Sequence, residues 1–242
     1  MTRPTSSKLF LALDATWPPL RFVNLPPWTL REGAGGGQRV SAATAAADLC
    51  KDDITAAEVG MRDLQQHPLF MLRPGDDALD EWLKARNYDI VDPVAIYLMP
   101  IKDRPHDVPD TTIKSTWPAS TVVRALWEKG GIGPARVAVM DRVRNTKTVL
   151  VAKGATQCLG AAFVAKSDDI AMLHALEVAP ESQRRGIGTC LMHAAAQWAN
   201  QTGAEWLALM VTRANSPANA LYRTLGMCDV GQYHYRRAPQ AK

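Results

Sequence analysis

The residues best suited to chemistry lie between Leu173 and Thr189. An apolar run, Leu173-His-Ala-Leu-Glu-Val178, leads through a short turn into Gln183-Arg-Arg-Gly186-Ile-Gly188-Thr189. Apolar residues then follow at helical spacing: Ile187, Leu191, Ala195 and Trp198. A strand that turns straight into a helix leaves the first N–H groups of that helix unpaired, at the positive end of its dipole. Glycines at 186 and 188 let a phosphate approach the backbone closely, and Arg184 and Arg185 add positive charge. Such a turn can cradle an anion. A dinucleotide fold would need GxGxxG, and a nucleoside-triphosphate loop would need lysine and Ser/Thr after its glycines; neither pattern stands here. Taken alone, two glycines ending a structural turn account for the pattern about as well as a binding loop.

A second stretch, Asn215-Ser-Pro-Ala-Asn-Ala-Leu-Tyr222-Arg-Thr-Leu-Gly226-Met227, reads as a short helix. Ser216 is a fitting cap, Pro217 a fitting first helical residue, and Gly226 a fitting stop. Tyr222 is then fixed within a defined helix. In isolation it reads as an amphipathic core residue, and Asn215 as a turn residue.

Together the two stretches resemble the GNAT superfamily, the Gcn5-related N-acetyltransferases. Gln183-Arg-Arg-Gly186-Ile-Gly188 stands as the family's pyrophosphate motif Q/R-x-x-G-x-G/A. Leu176-Glu177-Val178 matches its strand that pairs with the pantetheine arm. Asn215 to Met227 matches N-x-x-A-x-x-L-Y-x-x-L-G-F, with Met227 replacing the usual aromatic. The resemblance implies an α+β acyl-CoA N-acyltransferase fold, a mixed and mostly antiparallel sheet flanked by helices. It implies acetyl-CoA as co-substrate and no metal. Its cofactor-binding residues carry over to Leu176, Glu177, Val178, Gln183, Arg184, Arg185, Gly186, Ile187, Gly188, Thr189 and Asn215.

The implied reaction is acetyl transfer to a primary amine by direct attack in a ternary complex, so no enzyme nucleophile is required. Backbone N–H near Val178 would polarise the thioester carbonyl. The resemblance makes Tyr222 the general acid: a phenol pKa near ~10 and a thiol pKa of about 8.5 are close enough for proton transfer. The base is less directly specified. Many relatives that act on N-terminal amines carry a glutamate where this chain has Met210, and histone-type members carry one where it has Met172. His174 is the remaining candidate. The run Met172 to Val178 resembles the corresponding strand of serotonin N-acetyltransferases, which has histidines at both the Met172 and His174 places. Strand alternation puts His174 on the face of Leu176 and Val178 if no bulge intervenes. A hydrogen-bonded histidine lining a core accounts for the position equally well. Glu177, of opposite parity, is suited to holding a neighbouring helix or loop. The alternative from another class is a catalytically silent CoA-binding sensor or scaffold, for which Met172 and Met210 are the argument.

Strands expected at 148–152, 158–166, 170–178 and 205–211, with helices at 120–129, 185–200 and 217–225, would position these groups. A further strand is expected at 111–115. Upstream, short strands at 28–32 and 38–40 flank a glycine loop, Gly33 to Gly37. A helix at 53–66, a strand at 69–72, a helix at 76–86 and a long strand at 88–99 follow. That order resembles the later half of a GNAT fold without its pyrophosphate turn. We therefore expect a degenerate GNAT-like unit over 1–105, holding no cofactor, and the catalytic domain over 106–242. The expected work of the first unit is to extend the sheet and wall the acceptor pocket.

The chain's 242 residues are 47% hydrophobic and 21% charged, the balance of a globular protein. No apolar run reaches bilayer length and the start lacks a secretory signal pattern, so no membrane association and a cytoplasmic location are expected. A formal charge of +4, without an extended basic face, argues against nucleic acid as partner. Four scattered cysteines form no metal or disulfide pattern, and we read them as small buried hydrophobes. The acceptor is expected to be a small-molecule amine or a protein N-terminus. Oligomeric state is open, a homodimer paired through sheet edges being within the family's range.

Overall fold

The computed structural model describes residues 2–46, 48–101, 113–154 and 157–239. Helix α1 (Ser6–Thr16) is capped by Thr5, whose hydroxyl accepts from Lys8 N–H at 3.3 Å. Strands β1 (Arg21–Leu25), β2 (Trp28–Glu32) and β3 (Thr44–Ala45) make a small antiparallel sheet. Residues Gln38–Val40, expected as a strand, form a 3-10 turn instead. Close packing explains this: a Cβ on Gly36 would lie 2.7 Å from Val139 and 2.8 Å from Val40, so the glycine loop folds tightly onto the body. Helix α2 (Asp53–Asp63), strand β4 (Leu69–Leu72), helix α3 (Asp77–Ala85) and the long strand β5 (Asp89–Pro100) complete the N-terminal portion.

Strand β6 (Ile113–Thr116) and helices α4 (Thr121–Lys129) and α5 (Pro134–Arg142) follow. Then come β7 (Lys147–Lys153), β8 (Cys158–Ser167), β9 (Ile170–Val178), α6 (Ile187–Gln201), β10 (Trp206–Thr212), α7 (Ser216–Thr224) and β11 (Cys228–Arg237). Eight strands form one sheet in the order β4-β11-β5-β10-β9-β8-β7-β6. Only β9 and β10 run parallel; the other neighbours are antiparallel. The fold is therefore α+β with a mixed, mostly antiparallel sheet, as expected. The boundary expected at 105/106, and the first residues of the strand expected at 111–115, lie outside the described residues. β5 lies between β10 and β11, so segments from both ends of the chain share the sheet.

Period-two alternation divides the core into two layers. Val94, Ile96 and Leu98 of β5 face α1, α4 and α5, while Ala95, Tyr97 and Met99 face α6 and α7. A third cluster, around Trp28, Leu30, Phe70 and Leu83, joins the small sheet to α2, α3 and β4. The cysteines are free, and only Cys190 is buried; Cys50 and Cys228 are exposed, which corrects the expectation for them.

Candidate active site

The site begins with the sequence of β9. Residues 170–173 pair in parallel with Trp206–Leu209 of β10, and pairing stops there. Beyond that point β10 stays with β5 as far as Thr212, whereas β9 stays with β8. The separation coincides with a bulge: β9 spends three residue steps from His174 to Glu177 while β8 spends two from Phe163 to Ala161. Ala175 takes up the extra residue with φ +51°. Its carbonyl, turned out of the ladder, accepts from the Trp127 indole N–H at 2.9 Å.

The bulge overturns the expectation that His174 shares a face with Leu176 and Val178. Met172 and His174 lie on the α1 side; after Ala175 the parity is inverted, and Leu176 and Val178 pack on the α6 side. Glu177 comes to the α4 side, so close to Gly130 that a Cβ there would lie 2.5 Å from its Cδ. Burial raises the Glu177 pKa above its ordinary value.

A cavity of about 400 Å³ opens where the strands part. Its lining includes Leu173, His174, Ala175 and Leu176 from β9, Leu209 to Thr212 from β10, and Asn215 and Tyr222 from the α7 segment. It therefore runs through the sheet, with His174 on one side and Tyr222 on the other. The N-terminal portion supplies Trp17, Gly36 to Arg39, Asp92 and Val94.

His174 is 5% exposed. Its ring stacks on Trp17 at 4.9 Å, and Nε2 lies 2.9 Å from the Thr16 hydroxyl. That hydroxyl spends its proton on Ala12 O, at 2.7 Å, so it accepts from Nε2–H. The bare Nδ1 is then an acceptor, and no described residue donates to it. Burial, and secondarily the Arg39 charge, hold the imidazole well below its ordinary pKa, so it is neutral at pH 7.

Tyr222 is also 5% exposed and lies 5.6 Å, ring to ring, from Tyr97. Burial, with Tyr97 adding to it, pushes its phenol up to about 12. Helix α7 starts one residue earlier than expected: Asn215, not Ser216, is the cap, its Oδ1 accepting from Ala218 N–H at 3.1 Å. Asn219 fixes the helix to the sheet, accepting from Tyr97 OH and donating to Thr212 O and Asn215 O.

Gln183, Arg184, Arg185 and Gly186 are exposed in the loop before α6. Gly186 has φ +80° with no atom within 4 Å of a would-be Cβ, so its backbone is open to approach. The first bond of α6 runs from Cys190 N–H to Gly186 O, which leaves the N–H groups of Ile187, Gly188 and Thr189 without helical acceptors. Gly188 packs near α7, where a Cβ would meet Leu221 at 3.1 Å. These features fit a phosphate-bearing ligand.

Residues 116–227 match the acetyltransferase (GNAT) family. The chain thus carries a GNAT-family domain over that stretch. It is an acyltransferase, and GNAT acetyltransferases act on amine acceptors. The uncharacterized N-acetyltransferase YobR of Bacillus subtilis (strain 168) is 25% identical to it over 92% of this chain and 94% of its own length. Streptothricin acetyltransferase of Streptomyces lavendulae is 45% identical over 56 residues, 23% of this chain and 30% of that enzyme. A solved GCN5-related N-acetyltransferase from Kribbella flavida has the same fold, with TM-score 0.71 and 16% identity over 99% of this chain and 98% of its own.

In this acyltransferase, Leu176, His174, Asn215 and Tyr222 meet at the cavity, while Gln183 to Thr189 form the separate loop at the start of α6. Sequence reading missed Thr16, Trp17, Arg39, Asp92 and Tyr235. The glycine run before Gln38 was the one visible signal for Arg39; the others sit in segments with no motif. Among the described residues, no cluster of His, Cys, Asp or Glu could hold a metal ion, and no helix is long and apolar enough to cross a membrane.

Proposed function

We propose that this chain transfers an acetyl group from acetyl-CoA to a primary amine by direct attack within a ternary complex. The carrying observation is the parting of β9 from β10, which brings His174 and Tyr222 to one cavity from opposite sides of the sheet. The residues proposed to hold acetyl-CoA are Leu176, Glu177, Val178, Gln183 to Thr189 and Asn215, with the N–H groups of 187–189 receiving the pyrophosphate. The bound co-substrate supplies a thioester carbonyl and a thiol leaving group.

The amine nitrogen forms the new C–N bond as the C–S bond breaks. A proton leaves the nitrogen toward His174 Nδ1, whose lone pair is fixed by the Nε2–H bond to Thr16. The departing sulfur takes a proton from the Tyr222 hydroxyl, and both side chains re-equilibrate with solvent. Depressed basicity keeps His174 neutral, ready to accept, over the range in which enzymes ordinarily work. The acceptor is a small molecule or a protein N-terminus, and the setting is cytoplasmic. The division of labour is between a sheet-extending, pocket-walling unit (1–105) and a catalytic unit (106–242).

The test is thiol release from acetyl-CoA against a panel of amines, with calorimetric binding of acetyl-CoA alongside. Release that depends on an amine, and falls with Tyr222→Phe, is expected. Absence of acetyl-CoA uptake, or uptake without release for any amine, defeats the proposal.

A further inference from the structure

The α1 side of the cavity holds a cation that the acetyl-transfer scheme does not use. Arg39, half-buried in the turn after the glycine loop, sends Nη2 to Met210 O at 3.2 Å and Nε to the Tyr233 hydroxyl at 3.3 Å. Tyr233 in turn accepts from Tyr235 OH at 3.4 Å, so the guanidinium rests in a frame of neutral groups. Among the described residues no carboxylate pairs with it. A charge taken from water without a counter-ion is costly and calls for an anion from elsewhere.

That anion is not coenzyme A's pyrophosphate if the loop before α6 serves it, because Arg184 and Arg185 stand outside this cavity. Arg136 and Asp92 also line the cavity, so among the described residues the lining carries two arginines against one carboxylate. The same wall contains two buried acceptors that lack a donor, His174 Nδ1 and Gln38 Oε1. An unpaired cation near unpaired acceptors is the complement of one molecule that carries both an anion and N–H groups.

We infer that the acceptor is an amine that itself bears a carboxylate, an amino acid or a close analogue, with the carboxylate on Arg39 and the amine toward His174. This rests on the acetyl-transfer reading and narrows it. The cavity's size suits a ligand of that kind, since small-molecule sites start at about 300 Å³. The position of Arg39 also explains a cost that otherwise has no return. Its charge lowers the basicity of His174, and a carboxylate bound on Arg39 offsets that effect at the moment the amine arrives.

The test compares L-amino acids with their carboxamides and their decarboxylated amines in the thiol-release assay. We expect kcat/KM at least tenfold higher for the acids, and a ratio of acid to amide that falls at least tenfold in Arg39→Gln, mainly through KM. Glutamine can still donate to Met210 O, which favours folding. Trp17, stacked on His174, allows a second reading without turnover: tryptophan fluorescence titrated with N-acetyl-L-leucine and with N-acetyl-L-leucinamide. A saturable change for the acid alone, lost in Arg39→Gln, is expected. Amides or decarboxylated amines turned over as well as the acids, or turnover confined to peptides with a free N-terminus, overturns the inference and leaves acetyl transfer standing. An acid-selective titration with no thiol release from any amine leaves a carboxylate site at Arg39 but defeats acetyl transfer, and with it the assignment of that site to an acceptor. Equal titration by acid and amide, without turnover, removes both.

Discussion

Tyr222→Phe tests the proton donor with little disturbance to packing. The substitution keeps the ring against Tyr97 and removes one hydroxyl, to which no described residue hydrogen-bonds. Stability is therefore expected to hold, with the melting temperature unchanged within about 2 °C, since a 1 kcal/mol change moves it by only ~2–4 °C in a chain this large. The kinetic effect follows from the phenol's environment. Burial pushes it up to about 12, whereas a free thiol sits near ~8.5. Full transfer to a free thiolate would thus be uphill by roughly 5 kcal/mol at ~1.36 kcal/mol per pKa step.

The phenol's contribution must then come from a strong hydrogen bond to the developing thiolate and partial transfer. That places the loss at the low end of the 10²–10⁴ range of general acid catalysis, about 10²-fold in kcat or ~2.7 kcal/mol. The assay is steady-state thiol release under saturating acetyl-CoA and amine, with calorimetric Kd for acetyl-CoA expected within about threefold of the parent. The direction of the shift adds a pH test. A phenol at about 12 stays protonated through ordinary alkaline conditions, so no loss of rate below roughly pH 11 should trace to Tyr222. A variant with kcat within twofold of the parent refutes the role. An alkaline limb near pH 9–10 that disappears in the phenylalanine variant refutes the buried phenol.

Gly186→Ala forces a side chain into φ +80° and should cost about 1–2 kcal/mol in urea unfolding, with at least tenfold weaker acetyl-CoA binding by calorimetry; undiminished binding removes the loop from the site. His174 has a native pKa below its unfolded value, because burial and Arg39 penalise the charged form. As pH falls below about 6.5 the unfolded chain takes the proton first, so this contribution to stability is present above that pH and lost below it. His174→Gln should flatten the decline between pH 7.5 and 5 in denaturant melts, and an unchanged slope contradicts a buried neutral imidazole. Thr16→Val keeps shape but leaves Nε2–H without its acceptor, at a cost of about 1–3 kcal/mol. It should also lower kcat with little change in KM, because the tautomer is no longer fixed; an unaltered kcat makes Thr16 structural only.

The elements that bear motifs were legible because local chemistry decides them. β9 was expected at the residues where it stands, and α6 and α7 within two residues, since glycine, proline and helical spacing act over a few residues. Three features were not legible, each for a reason of distance. The α1 segment has helical composition but no motif, and its importance comes from Thr16 meeting His174 across 158 residues. The turn at Gln38–Val40 has strand-like residues, yet packing against Val139 decides its conformation. The bulge at Ala175 leaves no mark in a run of apolar residues, because alanine at φ +51° is held there by the indole N–H of Trp127 from α4. A one-residue insertion inverts every later side chain, so strand parity gave the wrong face for His174.

That inversion is also what lets the site work from both sides of a sheet. A regular β9 would keep its ladder with β10, and no opening would join the α1 and α6 layers. Opening it exposes backbone groups whose burial without partners costs about 1–3 kcal/mol each. Two side chains relieve that cost, Trp127 at Ala175 O on one strand and Arg39 at Met210 O on the other. One comes from the helix beside the C-terminal strands and the other from the glycine loop near the start of the chain. The gap between β9 and β10 is thus held by residues from both portions, which gives the N-terminal portion a physical task even though it lacks a glycine turn of the Gln183–Gly188 type. Because Arg39 props the strand and faces the cavity with the same guanidinium, the support for the opening and the proposed grip on the acceptor are one group.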